Sequence, residues 1–92
     1  MTPPRLTSQR LAEKLLRIRE ALGLSQTEML KRLGFEDVLV YNRISDYERG
    51  TREPPLPILL QYARAVRVPL EALVDDQLDL PAKLPAKPKH SR

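Results

Sequence analysis

The amino-acid sequence predicts one all-α domain of five short helices, followed by a flexible tail rich in proline and lysine. Three observations predict it: apolar residues recur at intervals of three and four, glycine or proline bounds these stretches, and 92 residues allow a single small core. We divide the chain into an N-terminal arm at 1–8, a helical domain at 9–76 and the tail at 77–92.

Helix 1 is expected from about Ser8 to Leu22, with Thr7 or Ser8 as its N-cap and Gly23 just beyond its end. Its apolar stripe consists of Leu11, Leu15, Ile18 and Leu22.

Helix 2 is expected to follow Ser25, because Ser25 and Glu28 have the spacing of a capping box. Gly34 marks its end. Its apolar positions are Met29, Leu30 and Leu33.

The segment 35–40 admits two interpretations. Its three apolar residues, Val38, Leu39 and Val40, have the propensity of a short strand, although no partner strand is evident. The interpretation we favour makes Asp37 the cap of helix 3, which then reaches Arg49 and ends at Gly50. Helix 3 would turn Val40, Ile44 and Tyr47 inward and Asn42, Asp46 and Arg49 outward.

Residues 51–55 are expected to be a loop, because paired prolines exclude the helical conformation before them, while Pro57 fits a first helical turn. Helix 4 is expected from about Leu56 to Val66, burying Leu59, Leu60, Ala63 and Val66. Helix 5 is expected at about 70–74, with Leu70, Leu73 and Val74 as its apolar residues. Beyond Asp76 the sequence Leu-Pro-Ala-Lys occurs at 80–83 and 84–87, a composition that we expect to bury no core.

The net charge of +4 is unevenly distributed. Residues 79–92 carry +3, whereas residues 1–52 hold ten basic and seven acidic groups and residues 53–78 hold two basic and four acidic groups. Within the domain, this polarity favours a basic N-terminal half that faces phosphates.

Several functional classes are disfavoured. The chain has no cysteine, its one histidine, His90, lies in the tail, and no glycine-rich phosphate loop is present. The acidic pairs at 36–37 and 75–76 lack metal-ligand spacing. We therefore expect no enzyme activity, metal, cofactor or small-molecule ligand. Residues 1–9 lack an apolar leader and no run approaches the roughly 20 apolar residues of a membrane span, so a cytoplasmic location is expected.

A series of short motifs runs through residues 11–75. They are Leu15 to Arg19, Gly23-Leu24-Ser25-Gln26, Ile44-Ser45, Glu48-Arg49-Gly50, Pro54, Leu59-Leu60 with Ala63, and Val68 with Leu70 and Leu73. In this order and spacing they resemble the lambda-repressor-like (Cro/C1-type, XRE) helix-turn-helix family. The resemblance implies a compact five-helix DNA-binding domain and a bacterial or phage-type transcriptional regulator that binds double-stranded DNA. We expect it to bind a short, roughly palindromic operator as a homodimer, because one such helix buries too little surface for strong specificity. The dimer contacts are expected to involve the last helix and residues 78–84.

The resemblance also implies roles for individual residues. Helix 3 would enter the major groove, with base contacts from Tyr41, Asn42, Arg43 and Asp46. Asn42 is suited to adenine, Arg43 to guanine and Asp46 to the amino group of a cytosine. Phosphate contacts would come from Gln26, Ser45, Arg49, Thr51 and Arg52, with Arg10 and Lys14 as weaker candidates. Arg19 and Glu48 match a structural ion pair of the family, and Tyr47 and Tyr62 are expected in the core.

Three features depart from the family pattern. Leu30 stands where a small residue is usual, and the interval from Gly34 to Gly50 is about four residues longer than usual. A longer turn would let helix 3 sit slightly farther from Leu30, so the two changes can compensate each other. Arg67 stands where the family favours glycine, so a different cap is expected after helix 4.

Two alternatives remain. One is a protein-interaction module, such as an antitoxin or accessory regulator, that binds a protein through Val38-Leu39-Val40 and the tail. The other gives the basic tail a minor-groove or nonspecific DNA role, in which case deleting residues 81–92 lowers affinity uniformly.

Overall fold

Five helices pack around one apolar core in the computed structural model, which describes residues 8–40 and 42–84. The helices are α1 (Leu11–Leu22), α2 (Gln26–Leu33), α3 (Asn42–Arg49), α4 (Leu56–Ala65) and α5 (Leu70–Val74). Over the described residues all regular secondary structure is helical, which confirms the all-α prediction. None of these helices combines the length and the apolar composition that crossing a membrane requires.

All five helices contribute apolar side chains to the core. Those with no exposed surface are Leu15, Ile18, Leu22, Met29, Ile44, Tyr62, Val66 and Leu73. Tyr47 is 3% exposed, so the inward orientation predicted for both tyrosines is confirmed. Leu60, predicted in the core, is only half-buried, because Ile58 and Tyr62 occupy inward positions of α4 instead.

The start of α2 follows the sequence prediction. Glu28 N–H donates to the Ser25 hydroxyl at 3.1 Å, and Ser25 N–H donates to the Glu28 carboxylate at 2.9 Å, which completes the capping box. Gly23 and Gly34 follow the ends of α1 and α2, as predicted.

The start of α1 differs from the prediction. The helix begins at Leu11, its N-cap is Arg10, and the Ser8 hydroxyl donates to the Val74 carbonyl rather than accepting from the helix; Thr7 lies outside the described residues. The Asp76 carboxylate instead accepts from Gln9 N–H at 2.8 Å and from Arg10 N–H at 3.1 Å. Amides at the start of α1 are therefore satisfied by a side chain from the far end of the domain.

The connection between α2 and α3 is a turn, neither a strand nor an extension of α3. Val38 and Leu39 donate their amides to the Phe35 carbonyl at 3.0 and 2.9 Å. Phe35 and Leu39 pack against the core, whereas Asp37 is exposed and Val40 is 59% exposed. The predictions of Asp37 as the cap and of Val40 as an inward residue are therefore wrong. The residues of this segment that reach the core are Phe35 and Leu39, which a main-chain turn brings together, and β-branched valines lower the helix propensity of the residues between that turn and α3.

The expectation of a different cap after α4 is wrong, because the chain there has the same left-handed backbone that glycine usually adopts. Arg67 has φ 56°, the one positive φ among the described residues that are not glycine. Val68 N–H donates to the Ala63 carbonyl at 3.0 Å, which is the long bond of a Schellman motif. Arg67 thus adopts the left-handed conformation despite the steric cost of its Cβ.

The sequence prediction that the tail buries no core is wrong for its described part. Leu80 and Leu84 are 5% and 8% exposed and belong to the core. Since both are buried within their own domain, they are not free for the dimer contacts predicted for residues 78–84. Residues 85–92 lie outside the described residues.

Basic side chains of α1 hold residues 72–82 in place by binding main-chain carbonyls. The Lys14 ammonium donates to the carbonyls of Ala72, Asp75 and Leu78 at 2.8, 3.0 and 2.7 Å, and Lys14 is only 3% exposed. Arg17 donates to the carbonyls of residues 80–82. Because carbonyls are present at every residue, side-chain composition carries no sign of this attachment.

Candidate nucleic-acid interface

The helix α3 lies against α1 and α2 and leaves one polar side uncovered. Ile44 is fully buried and Tyr47 is nearly so, which fixes the inward side of the helix. On the other side Asn42 and Arg49 are exposed, and Arg43, Ser45 and Asp46 are half-buried. Tyr41, predicted to contact bases, lies outside the described residues. The remaining predicted base-contacting residues, Asn42, Arg43 and Asp46, all belong to this one helix.

A left-handed turn after α3 brings the following residues back towards it. Gly50 has φ 74°, a backbone conformation that residues other than glycine rarely adopt. The Asp46 carbonyl accepts from Thr51 N–H at 3.0 Å and from Arg52 N–H at 3.4 Å. Thr51 and Arg52, both predicted to contact phosphates, are therefore placed beside the last turn of α3.

Three arginines surround the Asp46 carboxylate, and we call Arg43, Arg49 and Arg52 the arginine cluster. Its guanidinium nitrogens lie 3.6, 2.9 and 3.5 Å from the Asp46 carboxylate oxygens, in that order. The side chains of Arg49 and Arg52 are 65% and 58% exposed, against 21% for Asp46. The cluster and its carboxylate together carry a formal charge of +2 on an accessible surface.

Behind this surface a partly buried ion pair ties α1 to α3. Arg19 donates to Glu48 through Nε at 2.6 Å and through Nη2 at 3.1 Å, and through Nη1 to the Leu24 carbonyl at 2.9 Å. The Gln26 amide also donates to Glu48, at 3.2 Å. Hydrogen bonding to Glu48 raises the pKa of Arg19, so the guanidinium remains charged. These bonds join the first turn of α2 to the last turn of α3.

Two buried tyrosines, Tyr47 of α3 and Tyr62 of α4, lie on the inner side of the proposed interface. Burial raises the pKa of both hydroxyls, and in Tyr62 it does so beyond the usual range for tyrosine. The Tyr62 hydroxyl is buried and has no hydrogen-bond partner among the described residues. Both side chains therefore stay neutral and pack as core residues beneath the polar surface.

The weaker phosphate candidates, Arg10 and Lys14, are engaged within the protein. Lys14 is buried against carbonyls, and burial lowers the pKa of its ammonium. Arg10 pairs with Glu13 at 3.0 Å and with Asp79 at 2.6 Å. The sequence does contain one sign that Lys14 is buried, because position 14 lies on the same helical stripe as Leu11 and Ile18.

Within the described ranges, no group of three histidine, cysteine or acidic side chains is arranged to hold a metal ion. The chemistry available at α3 is that of hydrogen bonding and positive charge. An exposed asparagine and arginines can pair with base edges and phosphates.

Comparison with curated proteins and with solved structures gave no significant match. A family model described as helix-turn-helix matches residues 15–73, which is well over half of the chain and includes α2, α3 and the turn between them. This family comprises DNA-binding proteins and is not typically enzymatic. The chain belongs to the Cro/C1-type helix-turn-helix family.

Proposed function

We propose that this protein is a sequence-specific transcriptional regulator that reads a short operator by placing α3 in the major groove. The observation that carries the proposal is the polar side of α3: Asn42 and Arg49 are exposed while Ile44 and Tyr47 hold the helix from behind. A major groove about 12 Å wide admits one helix in this orientation.

The proposed roles follow from the hydrogen-bonding groups of each side chain. Asn42 suits adenine and Arg43 suits guanine, each by a pair of hydrogen bonds. Phosphate contacts are assigned to Ser45, Thr51 and the exposed arginines, Arg49 and Arg52. The main-chain amides at the start of α2, next to Gln26, add a site that favours an anion. The sequence assigns Asp46 to a cytosine amino group, whereas its three arginine neighbours support a different role.

We further propose that the regulator binds as a homodimer to an inverted repeat, because a single recognition helix buries little surface. Leu80 and Leu84 are occupied within the domain, so the proposed contacts fall on residues that remain accessible. Val74 and Leu78, each 38% exposed, are the apolar candidates near α5. Two half-sites about one helical turn of DNA apart, or a multiple of it, are expected.

Selection of bound duplexes from a random pool tests this proposal. The selected site is then used in binding titrations with the wild type, Asn42→Ala and Arg43→Ala. Each substitution is expected to weaken binding about 5- to 150-fold, the equivalent of about 1–3 kcal/mol per base contact, and to relax preference at one position. Arg64→Ala, an exposed arginine of α4, is the matched control and should change affinity little.

Failure to select any preferred sequence would refute the proposal. So would equal losses for Arg43→Ala and Arg64→Ala, since a general charge effect would then account for both.

One observation favours a second function. Val38 and Val40 are 75% and 59% exposed in the turn before α3, which is unusual for two valines so close together. A protein-interaction module, such as an antitoxin or accessory regulator, would use them to bind a protein. Val38→Ser with Val40→Ser would then abolish partner binding and leave the affinity for DNA unchanged. Capture of a partner that covers α3, together with DNA binding that has no sequence preference, would favour this function over the first.

The tail is tested separately. Deleting residues 81–92 would also remove the buried Leu84, so a cut after Leu84 is the cleaner variant. It removes Lys87, Lys89 and Arg92 and leaves the described core intact. A uniform loss of affinity across sequences would support a DNA role for the tail, and unchanged binding would exclude one.

A further inference from the structure

We infer that Asp46 determines specificity indirectly, by restraining the arginine cluster from binding phosphates regardless of sequence. This inference rests on the proposed function, and it replaces the assignment of Asp46 as a reader of cytosine. Its basis is the position of one carboxylate among three guanidinium groups on the surface that is proposed to meet DNA.

The Asp46 carboxylate is already occupied by its neighbours. Its two oxygens lie 2.9 Å from Arg49, 3.5 Å from Arg52 and 3.6 Å from Arg43. Its side chain is 21% exposed, less than any of the three arginines. A base that donated to this carboxylate would have to compete with three guanidinium groups that already lie around it.

The fold itself builds this arrangement. Residues 43, 46 and 49 share one face of α3 because three residues make slightly less than one helical turn. Arg52 joins them only because the left-handed Gly50 turns the chain and the Arg52 amide binds the Asp46 carbonyl at 3.4 Å. The Thr51 hydroxyl donates to the same carbonyl at 3.2 Å and holds the turn. Asp46 thus anchors the loop through its main chain and offsets one of the three positive charges of the arginine cluster through its side chain.

A phosphate that approaches Arg49 or Arg52 meets a negative charge already within 2.9 or 3.5 Å of the guanidinium, and the two like charges repel. Phosphate contacts supply binding that is independent of sequence, whereas base contacts supply preference. A carboxylate in this place weakens the first kind of binding more than the second. Asn42, one turn earlier and uncharged, is the base-reading side chain least affected.

The test compares binding of the full chain to the selected operator and to an unrelated duplex over a salt series. Asp46→Asn removes the charge and keeps the shape. We expect it to bind the unrelated duplex more tightly than the wild type does. The plot of log affinity against log salt should steepen by about 0.9 for each additional phosphate that is bound. At 0.1 M salt, one additional phosphate corresponds to a roughly eightfold rise in affinity for the unrelated duplex. The ratio of specific to nonspecific affinity should fall.

Three further variants make the result interpretable. Glu71→Gln, at an exposed position of α5, changes the net charge by the same amount and should raise nonspecific affinity less. Asp46→Glu keeps the charge and should stay close to the wild type. Asp46→Ser removes the charge with a smaller side chain and must show the same rise in affinity for the unrelated duplex. It replaces Asp46→Asn in the comparison if circular dichroism shows that Asp46→Asn is unfolded.

Each remaining outcome overturns the inference. Nonspecific affinity and salt dependence equal to those of Glu71→Gln would show that Asp46 restrains nothing. A preference changed at a single base pair, with nonspecific affinity unchanged, would restore the cytosine contact. Loss of affinity for both duplexes would mean that Asp46 orients the arginines for binding. A wild type that prefers no duplex would instead refute the proposed function, so the two failures are distinguishable.

Discussion

Replacing Lys14 with methionine is expected to destabilise the protein strongly, although DNA is not involved. Methionine has a similar length and is apolar, so it can fill the same space without the ammonium. In the wild type this ammonium binds the carbonyls of Ala72, Asp75 and Leu78, which secures the end of α5 and the chain that follows it. The substitution removes all three bonds at once.

The expected magnitude is about 3 kcal/mol. A hydrogen bond from a charged donor contributes roughly 1.5–3 kcal/mol, so three bonds set an upper limit well above this value. Two terms reduce the loss. Asp75 and Leu78 are exposed, so water can replace the ammonium at their carbonyls, and methionine avoids the cost of burying a charge. Ala72 is 7% exposed, so its carbonyl would stay unpaired.

Urea denaturation followed by circular dichroism measures this loss. For a domain of this size, about 3 kcal/mol corresponds to a fall in Tm of roughly 12–24 °C. Lys31→Met, the same substitution at an exposed site of α2, is the matched control and should change stability by no more than about 0.5 kcal/mol. Equal stabilities of the two variants would refute the assignment of Lys14 as a structural residue.

Three further predictions concern stability. Arg67→Gly should raise the free energy of unfolding by about 0.5–1 kcal/mol, because it removes left-handed strain of about 1–2 kcal/mol at φ 56° at a smaller cost in chain entropy; thermal melts measure it. Hydrogen bonds from the amides of Gln9 and Arg10 lower the pKa of Asp76 below its ordinary 3.8. The stability from these bonds is thus fully present above pH 3.8 and is lost as the pH falls through the lowered pKa. Asp76→Asn should reduce stability at pH 7 and flatten the acid dependence, as measured by melts from pH 7 to 2. Tyr62→Phe should leave stability unchanged or raise it by up to about 1 kcal/mol in urea denaturation, because it removes a buried hydroxyl that has no partner among the described residues.

Each of these has a control or a contrary result. Arg64→Gly, within α4, should instead lose about 1 kcal/mol; a loss in Arg67→Gly as well would contradict the strain argument. Asp37→Asn, on the exposed turn, should keep the stability of the wild type at pH 7. If it lost as much stability as Asp76→Asn, the loss in Asp76→Asn could not be assigned to the hydrogen bonds with Gln9 and Arg10. A loss above about 1 kcal/mol in Tyr62→Phe would show that the hydroxyl is hydrogen-bonded.

The helices and their ends could be predicted where the signal is local. The Ser25–Glu28 capping box and the glycines at 23 and 34 act within a few residues, so the sequence contains the whole interaction. Apolar spacing placed Ile44 and Tyr47 inward for the same reason. The prediction failed at residues 37–40, where acidic and apolar residues fit a helix or a turn equally well. Packing of Phe35 and Leu39 against the core decided for the turn.

The polar side of α3 was likewise foreseeable, since residues 42–49 set it by helical spacing alone. The environment of Asp46 was only half foreseeable. Arg43 and Arg49 are three residues away on the same helix, but Arg52 reaches the carboxylate only through the turn at Gly50.

By itself, then, the sequence determined the all-α class, most helix limits and the helix with an exposed polar side, because these depend on interactions between residues up to about four positions apart. Tertiary structure alone decided the Asp76 cap, the carbonyl partners of Lys14 and the packing of Leu80 and Leu84. The bonds of Asp76 and Lys14 join residues 58 to 67 positions apart. These bonds share one physical reason. Main-chain amides and carbonyls occur at nearly every residue, so only the path of the folded chain decides which of them a given side chain reaches.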